Sequence, residues 1–119
     1  MTLIKRRQAY NLGILSEIYV MFYMFLRGYI LIAHRYKTKF GEIDLIFRRF
    51  NTILAVEVKA RSNNNITLEE VIKRKQINKI KNTLNMFLSK NEKYQSLNIR
   101  IDFILIKGIF NMEYIKGLQ

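Results

Sequence analysis

Two short segments, Gly41–Phe47 and Ile53–Ala60, constrain this chain more than anything else in it. Both alternate with a period of two, so both read as strands. Glu42, Asp44 and Ile46 share one side of the first, and Ile43, Leu45 and Phe47 the other. In the second, Ala55, Glu57 and Lys59 alternate with Val56 and Val58. Arg48–Thr52 supplies a turn, which makes the pair an antiparallel hairpin. A turn centred on Phe50-Asn51 sets Asp44 opposite Glu57 and Glu42 opposite Lys59. Opposed residues lie on the same side of the sheet with Cβ atoms about 4.5–5.5 Å apart. A slip of one residue would send one partner through to the other side.

Acids on these strands are conspicuous because acids are scarce. The chain has 21 Lys+Arg against 9 Asp+Glu, a net charge of +12. In the first 60 residues only Glu17, Glu42, Asp44 and Glu57 are acidic, and three of those four sit on the hairpin. Two opposed carboxylates repel unless something neutralises them. Mg²⁺ does so with one or two carboxylates plus waters and substrate oxygens. Lys59, next along the same side as Glu57, is placed to orient a water or stabilise charge on a phosphate. A metal site beside a cation in a basic protein suits phosphodiester hydrolysis. A plainer reading makes Glu42–Lys59 a solvated cross-strand ion pair, with Asp44 and Glu57 turned to water beside Arg48, Arg49 or Arg61. The apolar runs Ile-Asp-Leu-Ile and Val-Glu-Val weigh against it, since buried acids are costly unless paired or metal-bound.

Composition narrows the chemistry further. There is no Cys, which excludes a disulfide scaffold, a zinc ribbon and thiol catalysis. A single His, His34, excludes multi-His metal sites and reads as a strand-end surface or packing residue. Any metal must be a hard cation on oxygen ligands. The charge points to nucleic acid or an acidic membrane surface. Ile, Lys and Asn are also abundant enough for part of the lysine content to reflect an AT-rich genome.

The remaining order is helical, then stranded, then helical. Leu12–Leu26 is strongly apolar but interrupted by Glu17 and followed by Arg27-Gly28, so it reads as a helix covering a sheet and not as a membrane span or signal peptide. On a helical wheel Ser16, Tyr19, Tyr23 and Arg27 form a weakly polar stripe. Tyr29–Arg35 reads as a strand. One long helix is expected over Leu68–Ser89, opened by a Thr67–Glu70 capping box. Ser62–Asn65 is a loop, Ile99–Lys107 a strand, and Met112–Ile115 a short one. Asp102, beside Arg100, reads as a structural ion pair. Lys73, Arg74, Lys75, Lys79 and Lys81 form either a phosphate-contacting helix face or an ordinary solvated one. Residues 1–119 read as one domain, an α/β fold with a central mixed sheet flanked by helices.

Gly41-Glu42-Ile43-Asp44-Leu45-Ile46, followed by Val56-Glu57-Val58-Lys59-Ala60-Arg61, resembles the signature of the YraN family of small bacterial proteins. The likeness covers nearly the whole chain. Glu17 falls in that family's N-terminal helix, Gly28-Tyr29 matches its strand start, Lys75-Gln76 its second helix and Arg100-Ile101-Asp102 its Arg-x-Asp strand. Ser16 stands where the family usually has Gly. The family is in turn similar to restriction-endonuclease-like nucleases and, among them, to archaeal Holliday-junction resolvases. The resemblance implies a restriction-endonuclease-like fold and a Mg²⁺ (or Mn²⁺) held by Asp44, Glu57 and the carbonyl of Val58. It implies Lys59 near the attacking water, Glu17 completing the site, and Gln76 or Lys75 reaching the site or the DNA backbone; Arg61, just after the Glu-x-Lys strand, reads as a phosphate contact or as the partner of an acid. It further implies DNA as partner, with branched or recombination DNA the closest analogy, a homodimer, and a cytoplasmic protein without membrane contact. A fold of this kind also supports binding without cleavage, so a non-catalytic nucleic-acid-binding module stands as the alternative.

Overall fold

The computed structural model describes residues 3–61, 65–107 and 111–117. It begins with α1 (Leu3–Leu26), which ends in a Schellman motif. The Gly28 N–H donates to the Phe25 carbonyl and the Tyr29 N–H to the Met24 carbonyl, both at 3.0 Å. Gly28 takes the left-handed conformation the motif requires, with φ +88°. The chain therefore turns directly from α1 into the first strand.

Three strands come next as a meander: β1 (Ile30–Thr38), β2 (Gly41–Arg49) and β3 (Thr52–Ala60). After α2 (Leu68–Val71) and α3 (Arg74–Ser89) come β4 (Asn98–Ile106) and β5 (Met112–Ile115). The sheet order is β1-β2-β3-β4-β5, with β3 and β4 parallel and the other neighbours antiparallel. A parallel pair needs a crossover connection, and the helical segment between β3 and β4 provides it. The result is the expected α/β fold, a mixed sheet flanked by helices and compatible with a restriction-endonuclease-like architecture. The β2–β3 register is also the expected one, running through Arg49↔Thr52, Phe47↔Leu54 and Leu45↔Val56.

Each side of the sheet buries its own apolar cluster. Ile77, Ile80, Leu84 and Phe87 of α3 pack against Ile53, Ala55, Ile101 and Phe103. On the opposite side Val20 and Met24 of α1 meet Leu45, Phe47, Leu54, Val56 and Ile104. The alternation along β3 and β4 decides which residue joins which cluster.

Asp102 ties the last strand to this frame. Its side chain is fully buried and accepts from the Arg100 guanidinium (3.1 and 3.0 Å), the Tyr114 hydroxyl (2.6 Å) and the Gly117 N–H (2.9 Å). Arg100 also donates to the Tyr29 hydroxyl at 2.8 Å. The Arg100–Asp102 pair is structural, as read from the sequence. Beside the buried carboxylate, the Tyr114 hydroxyl is held well above the usual tyrosine range, chiefly by burial and then by Asp102.

Three sequence expectations need correction. The long helix is broken: Ile72 and Lys73 are extended, separating α2 from α3. The capping box is not made, since Thr67 forms no side-chain cap; the side chain of Glu70 lies outside the described residues. The Leu68 N–H is instead satisfied by the Glu113 carboxylate at 2.7 Å, reaching across from β5. The weakly polar stripe on α1 is split: Ser16 is buried against the sheet and Tyr23 half-buried, whereas Tyr19 and Arg27 are exposed along with Phe22, Phe25 and Leu26. Most of the Ser62–Asn65 loop lies outside the described residues.

Candidate active site: a carboxylate pair where two strands part

The expected facing of Asp44 and Glu57 is altered by a local irregularity. The β2–β3 ladder stops at Leu45↔Val56, one pair short of Asp44 and Glu57. On the other flank of β2, His34↔Leu45 and Tyr36↔Ile43 pair, with Arg35 between them at φ +53°. A left-handed non-glycine residue inside a strand reverses the alternation of the residues beyond it. His34 bonds to Glu17 on α1, whereas Tyr36, two residues on, packs edge-to-face on Phe87 of α3 at 5.2 Å. Leu45 joins the α1 cluster and Ile43 the α3 cluster. Ile43, Leu45 and Phe47 therefore do not share one side as alternation predicts: Ile43 faces α3, whereas Leu45 and Phe47 face α1. Asp44 occupies the reversal itself.

The Asp44 carboxylate points across the parting strands, where its Oδ2 accepts the Val58 N–H at 2.8 Å. It takes over a hydrogen bond that a strand neighbour would otherwise make. A strand residue's N–H and C=O point to the same edge, so the Val58 carbonyl faces this gap as well. Glu57 is buried, and its carboxyl group lies in hydrogen-bonding contact with Asp44. Burial pushes the Glu57 carboxyl up to about 10, with the adjacent Asp44 charge acting in the same direction. Lys59 and Gln76 oppose that rise without cancelling it. Gln76 of α3 donates to Glu57 Oε2 at 3.3 Å.

Against Glu57 lies a cleft of about 400 Å³ lined by Gly41, Glu42, Glu57, Lys73, Lys75, Gln76, Lys79 and Ile80. Gly41 holds one wall. Its φ of +149° is open to glycine, and its Cα side lies against Lys79 and Thr83 of α3. The break before α3 places Lys73 on the opposite rim. The cleft thus combines two acids with three lysines.

Asp44, Lys59 and Gln76 lie around Glu57, and Lys75 lines the cleft beside it. Glu42 joins them on the cleft wall and makes no ion pair with Lys59, so the solvated cross-strand pair does not form. Glu17 and Arg61 stand apart. The Glu17 carboxylate is held by His34 Nε2 at 3.0 Å and by Arg35 Nη2 at 2.9 Å, joining α1 to the β1 irregularity. Arg61 is exposed and folds back on the Ala60 carbonyl at 2.8 Å. Among the described residues no group of three or more His, Asp or Glu could hold a metal. Sequence reasoning misses the Glu17–His34–Arg35 cluster, although adjacent basic residues on a strand beside a lone helix acid are its signal.

The donor chemistry still suits a hard cation. Two carboxyl groups in contact and a carbonyl aimed into the same gap make an oxygen-only set, to which Mg²⁺ adds waters and substrate. The placement of Glu57 without a counter-charge in bonding contact is the kind of arrangement a divalent ion would relieve.

A mixed five-stranded sheet flanked by helices defines the class: an α/β protein whose fold is compatible with a restriction-endonuclease-like architecture. Residues 16–106 match the Uncharacterised protein family UPF0102, and the chain belongs to that family. A UPF0102 protein of Bartonella bacilliformis is 39% identical over 101 residues, covering 85% of this chain and 82% of the relative. One from Agrobacterium fabrum is 33% identical over 102 residues, covering 86% and 83%. One from Sulfurihydrogenibium sp. is 38% identical over 95 residues, covering 77% and 82%.

Proposed function

We propose that this protein is a metal-dependent nuclease that hydrolyses phosphodiester bonds in DNA. The observation that carries this reading is the meeting of Asp44 and Glu57 in the gap where β2 leaves β3, with the Val58 carbonyl aimed into it. Asp44, Glu57 and that carbonyl would hold Mg²⁺ or Mn²⁺. When bound, such a cation would supply a water acidic enough to attack phosphorus near neutral pH and charge to offset that on the phosphate. The protein's own groups do the rest. Glu57 would release its proton to solvent on holding such a cation, since ligating carboxyl groups must be ionised. Gln76 fixes the Glu57 carboxyl by its hydrogen bond. Lys59 sets positive charge beside the reacting phosphate, and Lys73, Lys75 and Lys79 hold neighbouring phosphates along the cleft.

Branched or recombination DNA is the substrate class the family resemblance implies, and the cytoplasm the place where the protein would meet it. No helix among the described residues is long and apolar enough to cross a membrane. Cleavage of duplex, single-stranded and branched DNA, with and without Mg²⁺ or Mn²⁺, tests the reading. Metal-dependent cutting that falls on the order of 10³-fold in Asp44→Ala and Lys59→Ala supports it. Folded protein that cuts none of these substrates refutes it.

A second reading rests on Glu17. Its carboxylate is engaged by His34 and Arg35, leaving two acids at the pair. A non-catalytic nucleic-acid-binding module would look like this. Binding would then persist in Asp44→Ala and weaken with salt as counterions are released.

A further inference from the structure

The tip of the β2–β3 hairpin carries a residue that hairpin turns rarely take. Arg49↔Thr52 is the last pair of the ladder, so Phe50 and Asn51 form a two-residue turn. Phe50 has φ +52°, a left-handed backbone that such turns normally assign to Gly or Asn. Its side chain is 84% exposed, more than any other large apolar side chain among the described residues, and no other ring packs on it. The turn is nevertheless fixed. Arg48 Nε donates to the Phe50 carbonyl at 3.2 Å, and the Asn98 N–H to the Asn51 carbonyl at 2.8 Å. A single exposed Phe is ordinary on a protein surface. A bulky side chain held out from a strained position on a fixed turn is not, and such strain gathers at functional sites.

Cations flank the ring from both sides of the sheet. Successive strand residues point to opposite sides, so Arg48 and Arg49 straddle the turn. The Arg48 guanidinium lies 5.7 Å from the Tyr94 ring centre, on the α3 side. That of Arg49 lies 4.2 Å from the Tyr29 ring centre, on the α1 side, and its Nη1 donates to the Arg27 carbonyl at 3.1 Å. Arg27 in turn lies over Tyr23 at 4.3 Å. Among the described residues none of these three arginines pairs with an acid, and the sequence from Leu45 to Val56 contains none. We propose that this tip binds single-stranded nucleic acid, the Phe50 ring stacking on an unpaired base while Arg48 and Arg49 hold the phosphates on either side. An aromatic ring between cations matches a strand's alternation of bases and phosphates, and stacking tolerates any base. Guanidiniums already laid on rings and carbonyls lose little freedom on binding. A second copy fits poorly: one ring offers roughly 150–250 Å² against the ~800 Å² a stable interface needs from each partner, and two such tips would oppose their arginines. A lipid surface takes up a continuous apolar face, not one ring between charges. Asp44 lies six residues back along β2, which at ~3.3 Å per residue sets the tip about 20 Å from the carboxylate pair. The site is thus separate from the cleft and would favour DNA with an unpaired segment. Stacking here presupposes nucleic acid as the partner, as proposed above, but not cleavage.

A tryptophan reporter tests the site, because the chain has no Trp of its own. In Phe50→Trp, oligo(dT) should quench the indole fluorescence and added salt should reverse the quenching, whereas inorganic polyphosphate, which has no bases, should not reproduce it. In Phe50→Gly, which takes φ +52° without strain, the ratio of affinity for oligo(dT) to that for duplex should fall about tenfold, the scale of one stacked base. An indole that does not respond while oligo(dT) still binds, and binds less well in Lys79→Ala, overturns the tip and spares the cleft. Equal quenching by polyphosphate, or an unchanged ratio in Phe50→Gly, also overturns it. So does a blue shift with phosphatidylglycerol vesicles and no response to oligo(dT), which would assign the tip to a lipid surface. Folded protein that binds no nucleic acid overturns this site and the proposed function together.

Discussion

Replacing Glu57 with Gln should make the metal-free protein more stable while removing its response to metal. Glu57 is 7% exposed, beside Asp44, and its carboxyl is pushed from 4.5 up to about 10. At pH 7 the native protein keeps a proton that the unfolded chain releases. An acid raised in this way adds its full stability below pH 4.5 and loses it as the pH climbs toward 10. From 4.5 to 7 the loss is about 2.5 pH units at 1.36 kcal/mol each, or about 3 kcal/mol. That figure depends on the native value lying well above 7, not on how far above. The glutamine amide would keep a donor toward Asp44 and has no proton to lose. The variant should therefore gain up to about 3 kcal/mol at pH 7, or roughly 10 °C in Tm for a chain of this size, and nothing at pH 4. Thermal unfolding in EDTA from pH 4 to 8 reads the effect directly. Added Mn²⁺ should raise the Tm of the wild type and leave the variant unmoved. A variant less stable than wild type at pH 7, or a wild type whose Tm does not decline from pH 5 to 8, refutes the reasoning.

Two other substitutions probe the frame and the cleft. Asp102→Ala strands Arg100 beside Tyr29 and leaves the Tyr114 hydroxyl and Gly117 N–H without their acceptor, so urea unfolding should show a loss of about 3 kcal/mol. Lys79→Ala should weaken DNA binding and lower the slope of log affinity against log salt by about 0.9 for a duplex, measured by fluorescence anisotropy.

The hairpin is legible in the sequence because two signals coincide in it. Alternating apolar residues define the strands, and the Phe50-Asn51 turn fixes their register; Phe50 indeed adopts φ +52°. What alternation cannot convey is the reversal at Arg35 and Asp44, since nothing in an Arg codon announces a left-handed backbone. The site nevertheless depends on it: without the reversal Asp44 would point to one side of the sheet instead of across to Val58. The helix break is obscured in a similar way. Leu68, Val71 and Ile72 keep helical spacing, and only the five-residue gap to Ile77 hints at the extended Ile72-Lys73. The buried face of α1 is not legible because the segment is apolar nearly all round, so the choice of which side packs lies with the sheet and not with the helix. The family position of Glu17 suggests a place in the site, whereas the tertiary arrangement ties its carboxylate to His34 and Arg35, away from the pair.

If Asp44 and Glu57 meet in order to hold a divalent cation, the ion itself is the most direct thing to look for. Anomalous diffraction from crystals grown with Mn²⁺ locates it without reference to activity. A single strong peak is predicted in coordination contact with Asp44, Glu57 and the Val58 carbonyl, absent from Glu57→Gln crystals. Mn²⁺ found only at Glu17 and His34, or no bound Mn²⁺ at saturating concentration, would contradict a metal site at the carboxylate pair.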